Sequence, residues 1–301
     1  MAWLPRVPNV ALIVNPFASA VDEHRIVLVE RVLARVGDVA THLTERRGHA
    51  TELALSVASD VDAIFVFSGD GGFNEVANGL GPDAPPLGCI PGGGTSVFPR
   101  GLGIPREPVA ATEHLVDAFE QGRTKRISVG RANGRRFLFN AGLLFDAELV
   151  RRIEAQRSQA GRPGDAAFAA TVLKLIAEHG GRFDPVLRIE GAVPAAFVLV
   201  ANADPYTYLG KIPVHVAPEA THEGGLDVVA PTRVRPHMIP QLFRYVMTGR
   251  GRPRNVVALH DVDRVRVDCD RPLPLQADGE DLGDVEQAVF EAERGALLVL
   301  A

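Results

Sequence analysis

A single carboxylate, Asp70, stands among three glycines in the stretch VFSGDGGFNEVANGL at positions 66–80. An apolar run ends at Ser68, and a helix-compatible segment follows the glycines. A glycine-rich turn between a strand and a helix lets backbone N–H groups approach phosphate oxygens, and the helix N-terminus adds partial positive charge. An acid belongs there if a divalent cation accompanies the phosphates, or if a hydroxyl must lose its proton beside them. The alternative is a tight turn with a surface aspartate.

Two further loops of small residues follow apolar segments. PGGGTS (91–96) comes directly after one such segment, and Asn15-Pro16 ends another, VALIV (10–14). Because open parallel sheets bind ligands at the carboxyl ends of their strands, we expect the three loops to meet at one edge and to bind a phosphate-bearing ligand. The glycine spacing matches neither a P-loop nor a dinucleotide fingerprint.

The elements that must position these loops alternate between strand and helix over residues 10 to about 125. The predicted strands are continuous apolar runs, which is typical of a parallel sheet covered on both faces. Their ranges are 10–14, 62–67 and 86–91, and those of the predicted helices are 23–37 and 107–122, with a further helix beginning at NEVANGL.

The pattern changes after residue 126. Two alternating segments flank Asn133-Gly134, which is the strongest short signal for a β-hairpin. Short strand-like segments separated by Gly, Pro and Asp follow, with two helical patterns between them. We therefore predict an α/β nucleotide-binding domain at 1–126, which residues 290–301 could complete, and an antiparallel β-sandwich domain at 127–289.

Composition limits the class of protein. The chain has 301 residues and a formal net charge of −5, which argues against nucleic acid as a partner, and its two cysteines are too few for a disulfide framework. It has no uncharged apolar run of about 18 residues, the length that spans a bilayer. We expect a cytoplasmic protein, at most peripheral at the inner face of the membrane. Basic segments at 123–136 and 250–254 are either solvated surface or contacts to anionic lipid.

Six blocks, in order along the chain, resemble the diacylglycerol kinase catalytic-domain family, which includes bacterial diacylglycerol kinases and sphingosine kinases. Ser68 occupies the first position of the signature block, as it does in sphingosine kinases. The blocks are IVNPFA, SGDGGFNEVANGL, IPGGGTSVFPRGLGIP, FLFNAGLLFDAELVRR, APEATHEGGLDVV and PLPLQADGE.

The resemblance implies an N-terminal α/β domain like those of phosphofructokinases and NAD kinases, a C-terminal β-sandwich, and transfer of the γ-phosphoryl group of Mg-ATP to a lipid hydroxyl such as that of diacylglycerol. It assigns Asp70 to the active-site Mg²⁺, and Asp278 or Glu280 to activation of the acceptor hydroxyl. In some members the base is instead the aspartate of the glycine loop. The nucleotide-binding residues that it implies are Asn15, Pro16, Ser68, Gly69, Asp70, Gly71, Gly72, Glu75, Gly93, Gly94 and Thr95.

The sequence also departs from the family pattern. Gly72 replaces the usual threonine, Ser96 replaces an asparagine, and Glu223 stands where some relatives bind a structural Mg²⁺ through an aspartate. These differences leave open a catalytically impaired protein that binds lipid or nucleotide on the same scaffold. A kinase of the NAD-kinase type with a soluble substrate is a third alternative, since it shares the glycine loop. The identity of the lipid and the oligomeric state stay open.

Overall fold

The structure is a computed structural model, and it describes residues 6–156, 164–191 and 193–301. The chain divides into two compact units. The first unit runs to Ile127 and also includes Gly295–Ala301, and the second comprises Ser128–Arg294. Each unit is described by itself.

The elements of the first unit are β1 (Asn9–Val14), α1 (Glu23–Leu33), β2 (Asp38–Leu43), α2 (His49–Val57), β3 (Ala63–Ser68), α3 (Asp70–Gly79), β4 (Leu87–Pro91), α4 (Val97–Gly101) and α5 (Pro108–Glu120). Strand β5 (Thr124–Ala132) leads into the second unit. There it is followed by β6 (Arg135–Phe137), β7 (Asn140–Leu143), α6 (Phe145–Ala155), α7 (Asp165–Glu178), β8 (Leu187–Ile189), β9 (Pro194–Ala195), β10 (Val198–Ala201), β11 (Thr207–Leu209), β12 (Ile212–Val214), β13 (Leu226–Pro231), a 3-10 turn (Pro236–Met238), α8 (Ile239–Thr248), β14 (Val256–Val262), β15 (Arg264–Ala277) and β16 (Glu280–Leu300).

The first unit contains the predicted parallel sheet. Its strands lie in the order β2-β1-β3-β4, and each neighbouring pair is parallel. The apolar runs of β1, β3 and β4 are buried, apart from Asn9 at the start of β1. The end of β16 adds a further parallel contact, because Val299 pairs with Leu87. Since all these strands run in the same direction, the loops after β1, β3 and β4 leave the sheet at one edge.

The helices of the first unit pack in two pairs, α1 with α5 and α2 with α3. Helix α1 begins where the carboxylate of Asp22 accepts a hydrogen bond from the backbone N–H of Arg25, which stabilises its first turn. Sequence analysis missed β2, α2 and α4. Strand β2 alternates half-buried and exposed residues, so it lacks the continuous apolar run that marks its neighbours.

The second unit is antiparallel, as predicted. Its strands follow the order β14-β13-β10-β7-β15-β16, and β8 pairs with the other end of β15. Residues 133 and 134 form the predicted hairpin turn: Asn133 has φ 47°, Gly134 has φ 87°, and Ala132 pairs with Arg135. Both central residues therefore have positive φ, which is the geometry that twisted hairpins favour.

Two details of the second unit differ from the sequence interpretation. Two of the short strand-like segments, at 264–270 and 272–278, form the single strand β15, with a shift in register between Asp268 and Leu273. Sequence analysis also missed α8, whose region carries Pro236 and Pro240. Proline is tolerated in the first turn of a helix, which is where Pro240 lies.

Candidate active site

The three loops predicted at the carboxyl edge of the parallel sheet are joined by backbone hydrogen bonds. Asn15 N–H donates to the carbonyl oxygen of Phe67, Ala20 N–H donates to that of Gly92, and Gly92 N–H donates to that of Ser68. The loops after β3 and β4 also touch directly, because a Cβ on Gly93 would lie 2.9 Å from Cα of Gly69. This close approach requires glycine, and it packs the loops into one glycine-rich surface.

Asp70 fastens two of these loops to each other. It is the first residue of α3, and its two carboxylate oxygens accept hydrogen bonds from the N–H groups of Val97 and Phe98, each at 3.0 Å. These donors begin α4, whose first N–H groups have no partner within the helix. The carboxylate therefore holds the glycine loop after β4 in place. The role of Asp70 in binding Mg²⁺ stays a prediction.

Ser68 and Gly72 depend on each other. A Cβ on Gly72 would lie 2.1 Å from Oγ and 2.6 Å from Cβ of Ser68, so the serine side chain fills the space that a side chain at position 72 would need. Ser68 is buried, and among the described residues its Oγ has no hydrogen-bond partner. The missing threonine at position 72 is therefore matched by a hydroxyl at position 68.

Two glycines of the loops face open space. A Cβ on Gly71 or on Gly94 would meet no atom within 4 Å, and neither residue has positive φ. Gly71 lies in the first turn of α3, where N–H groups and the helix dipole favour an anion. Arg106, which sequence analysis did not select, donates a hydrogen bond to the carbonyl oxygen of Gly94 at 3.2 Å. These features fit a nucleotide phosphate chain.

The other predicted nucleotide-binding residues have different surroundings. Asn15 Oδ1 accepts a hydrogen bond from Phe17 N–H and shapes the first loop, in which Pro16 is exposed. Thr95 is half-buried in the glycine loop after β4. The carboxylate of Glu75 accepts a hydrogen bond from Ala50 N–H in the first turn of α2, so its side chain is engaged at that helix.

In the second unit, Asp278 and Gly279 form a tight turn between β15 and β16. Ala277 pairs with Glu280, and both turn residues have positive φ, at 48° and 78°. Asp278 is buried, and its carboxylate accepts three backbone hydrogen bonds, at 2.6 Å from Leu138 and 3.1 Å from Phe139 and Asn140. It therefore fixes the start of β7 against the turn.

Glu280 is the more accessible carboxylate of this turn. Its side chain is 31% exposed, and it accepts a hydrogen bond from the guanidinium of Arg135 at 2.9 Å. Arg135 directly follows the Asn133-Gly134 turn, so the ion pair connects the two hairpins. The structure thus distinguishes two residues that the sequence motif left equivalent. The carboxylate of Asp278 is buried and accepts backbone hydrogen bonds, whereas that of Glu280 is partly exposed.

A buried polar cluster supports the turn from inside the second unit. Gln276 Nε2 donates to Asp146 Oδ2 at 2.7 Å and to Asn140 Oδ1 at 3.1 Å, while its Oε1 accepts from Gly279 N–H at 3.0 Å. Tyr206 OH donates to Asp146 Oδ2 at 2.6 Å. A Cβ on Gly142 would lie 2.4 Å from both oxygens of Asp146, so glycine makes room for this carboxyl group. Sequence analysis quoted Asp146 within a motif but gave it no role.

Burial raises the pKa of Asp146 to about 6, although Tyr206 and Gln276 oppose the shift through hydrogen bonds to the charged form. A folded-state pKa above the unfolded value of 3.8 means that the native state binds the proton more tightly. The stability from this proton is complete below about pH 4 and is lost as the pH rises through about 6. The loss amounts to roughly 3 kcal/mol, since each pKa unit corresponds to about 1.4 kcal/mol.

We expect Asp146→Asn to remove this pH dependence. Asparagine is uncharged at every pH and keeps an oxygen for Tyr206 and Gln276. In urea unfolding at pH 4, 5, 6 and 7, the free energy of unfolding of the wild type should therefore fall relative to that of Asp146→Asn as the pH rises. Parallel curves for the two proteins would contradict the buried proton. Glu286→Gln, at an exposed position of β16, is the matched control and should leave the wild-type curve unchanged.

The metal sites predicted from the sequence have limited support from protein side chains. Within residues 6–156, 164–191 and 193–301, no cluster of three or more His, Cys, Asp or Glu could hold a metal ion. One carboxylate together with phosphate oxygens is a common Mg²⁺ environment, so Asp70 beside a bound nucleotide fits that ion. Glu223 is exposed, and its carbonyl oxygen accepts a hydrogen bond from Ser128. A structural Mg²⁺ there stays a prediction.

In the described part of the chain, no helix is long and apolar enough to cross a bilayer.

A parallel sheet whose glycine loops are joined at one edge can hold the phosphates of a nucleotide on backbone N–H groups. The diacylglycerol kinase catalytic domain matches residues 9–132, and the YegS C-terminal NAD kinase beta sandwich-like domain matches residues 141–301. The chain therefore carries a diacylglycerol kinase catalytic domain, and it belongs to the family of the YegS C-terminal domain, whose model matches more than half of the chain.

Individual relatives agree with this assignment. A diacylglycerol kinase of Bacillus subtilis is 41% identical over 108 residues, which are 35% of each chain, and one of Staphylococcus haemolyticus is 36% identical over 110 residues, 35% of this chain and 32% of that protein. These matches span about a third of the relatives' length.

Solved structures show the fold. A diacylglycerol kinase structure from Bacillus anthracis has a TM-score of 0.72 at 24% identity and covers 97% of this chain and 96% of its own. An NAD kinase from Archaeoglobus fulgidus in complex with ATP has a TM-score of 0.52 at 15% identity, with 97% and 93% covered. The predicted fold class, an NAD-kinase-like α/β domain followed by an antiparallel β-sandwich, is confirmed.

Proposed function

We propose that this protein is an ATP-dependent lipid kinase that transfers the γ-phosphoryl group of Mg-ATP to the hydroxyl of diacylglycerol or a similar long-chain alcohol. The observation that carries the proposal is the single surface formed by the glycine loops after β3 and β4, fastened by Asp70 and open at Gly71 and Gly94. Such loops bind phosphates through backbone donors. The family matches support a lipid alcohol over NAD as the acceptor.

The first unit would hold the nucleotide. In this proposal the N–H groups at the start of α3 and in the glycine loop after β4 bind phosphate oxygens, and Arg106 adds positive charge beside Gly94. When bound, Mg-ATP supplies the transferable phosphoryl group and a metal ion that neutralises its charge. The residues of the chain mainly position the groups that react, which is the main contribution in phosphoryl transfer.

The second unit would supply the base. A lipid alcohol has a very high pKa, so the base need only accept its proton as the oxygen attacks. We propose Glu280 for this role, because its carboxylate is partly exposed, whereas that of Asp278 already accepts three backbone hydrogen bonds. Asp278 would position the turn on which Glu280 stands.

The match between Ser68 and Gly72 favours an active enzyme over the impaired alternative. The departure at Gly72 is accompanied by a buried hydroxyl on the neighbouring residue, so the local packing is complete and a hydroxyl is kept. The identity of the phosphoryl acceptor distinguishes a lipid kinase from a kinase of the NAD-kinase type.

The test is therefore magnesium-dependent ADP release in mixed micelles with diacylglycerol, a sphingoid base or a monoacylglycerol, and with NAD in a micelle-free arm.

We expect Gly94→Val to raise the KM for ATP at least tenfold while leaving the free energy of unfolding within about 1 kcal/mol of wild type. A Cβ at this position meets no atom within 4 Å, so the valine side chain would occupy space that the phosphates need. Gly81→Val is the matched control, because Gly81 also faces open space but follows α3 in an exposed turn. Equal KM values for the two variants, or turnover with NAD and with no lipid, would contradict the proposal.

A further inference from the structure

Helix α8 has one side packed against the second unit and a large apolar side chain exposed on the other side. The helix packs inward through Ile239, Leu242 and Tyr245, whose hydroxyl donates to the carbonyl oxygen of Val216 at 2.6 Å. On the outer side Phe243 is 64% exposed. Strand β12 packs against the same helix and carries Ile212, which is 49% exposed. A large apolar ring is thus held outward on a helix whose other side is anchored.

Arginines lie next to this apolar position and shortly after it in the sequence. No Asp or Glu occurs between residues 228 and 260, although the whole chain is net negative. Within this stretch Arg233 and Arg235 are paired with Asp184. The remaining arginines are exposed: Arg244, Arg250, Arg252 and Arg254. Among the described residues, no carboxylate forms an ion pair with any of these four. Together with Phe243 and Ile212 they are here called the α8 surface.

The α8 surface is compact at its C-terminal end. Gly249 ends the helix with φ 66°, and Arg250 N–H donates to Thr248 Oγ1. The guanidinium of Arg244 lies over Gly251, where a Cβ would be 2.7 Å from one of its nitrogens. The turn therefore brings the chain at Gly251 back beside Arg244 of the helix. Arg252 borders a cavity of about 230 Å³ together with two acids, Glu219 and Asp227, and Asp227 is paired with His260.

We propose that the α8 surface docks the protein on an anionic lipid bilayer, with Phe243 inserted at the headgroup boundary and the four arginines on lipid phosphates. An exposed aromatic ring on a helix that carries and is followed by exposed arginines without a carboxylate partner matches the interfacial binding mode of amphipathic helices. Each arginine near such a surface strengthens binding about fivefold, and the ring adds apolar burial. The net charge of −5 over the whole chain argues against nucleic acid as the partner of these cations.

This inference deepens the proposed function, since it brings the enzyme to the membrane that contains its substrate. It is tested without turnover, by sedimentation of the wild-type protein with vesicles of phosphatidylglycerol mixed with phosphatidylcholine, and with vesicles of phosphatidylcholine alone. Kinase activity is measured separately on a short-chain diacylglycerol dispersed below its micelle concentration. A failed kinase assay would therefore leave the vesicle-binding result valid, and absent vesicle binding would leave the measured kinase activity valid.

We expect wild type to bind the anionic vesicles, and to bind the neutral vesicles at least tenfold more weakly. Phe243→Ser should reduce binding roughly tenfold, and replacement of Arg250, Arg252 and Arg254 by Gln roughly 100-fold, without loss of activity on the dispersed substrate. Leu173→Ser is the matched control, because Leu173 is 68% exposed on α7 and lies outside the α8 surface.

Three results would overturn the proposal. Wild type could fail to bind the anionic vesicles, or both α8 variants could bind them as wild type does. In the third, the arginine variant loses binding to single-stranded RNA while its vesicle binding is unchanged, which would assign the cations to nucleic acid. Circular dichroism of each variant separates a lost surface from a lost fold.

Discussion

Gly72→Thr is expected to lower the free energy of unfolding by about 2–3 kcal/mol, because the new side chain would overlap Ser68. The same change made together with Ser68→Gly should recover most of this loss, since the double variant restores the family's pairing of glycine at one position with threonine at the other. Urea unfolding of both single variants and of the double variant measures the coupling directly.

Two further variants make the test specific. Ser68→Ala with Gly72→Thr should remain unstable, because Cβ of Ser68 alone lies 2.6 Å from the position of the new Cβ. Gly71→Thr should be close to wild type, since a Cβ there meets nothing. If Gly72→Thr is as stable as wild type, or if the double variant is as unstable as the single one, the two positions are independent. The glycine would then be an unexplained departure from the family pattern.

Glu280→Gln is expected to lower kcat by 10²- to 10⁴-fold, the usual effect of losing a general base. Its effect on stability should be small, because the Glu280–Arg135 pair is about one-third exposed and glutamine can still accept a hydrogen bond.

Asp278→Asn is the informative comparison. Its carboxylate accepts three backbone hydrogen bonds, and an amide would turn two N–H donors toward them, so we expect a loss of about 2–3 kcal/mol in unfolding free energy. Activity should follow the folded fraction. If Asp278→Asn is folded and inactive while Glu280→Gln stays within threefold of wild type, Asp278 is the base and the proposed roles are exchanged.

The sequence was a good guide where local pattern and burial agree. The apolar runs of β1, β3 and β4 are buried in the parallel sheet, and Asn133-Gly134 forms the hairpin turn that its residue types favour. It failed where the pattern is weak. Strand β2 has no apolar run, and Pro240 obscured α8, because a proline in the first turn of a helix resembles a helix breaker.

For the site, the sequence was enough to show which residue types are present and that the glycine loops follow parallel strands, since strand direction alone places such loops at one edge. It also placed the chain in its family. The contacts that these residues make could not be read from the sequence. Asp70 bonds to residues 27 and 28 positions away, Asp278 to backbone 138–140 positions away, and Gln276 to Asp146 across 130 residues. Hydrogen-bond partners so distant along the chain leave no local periodicity, so only the folded chain shows that one carboxylate is fully engaged and its neighbour is not.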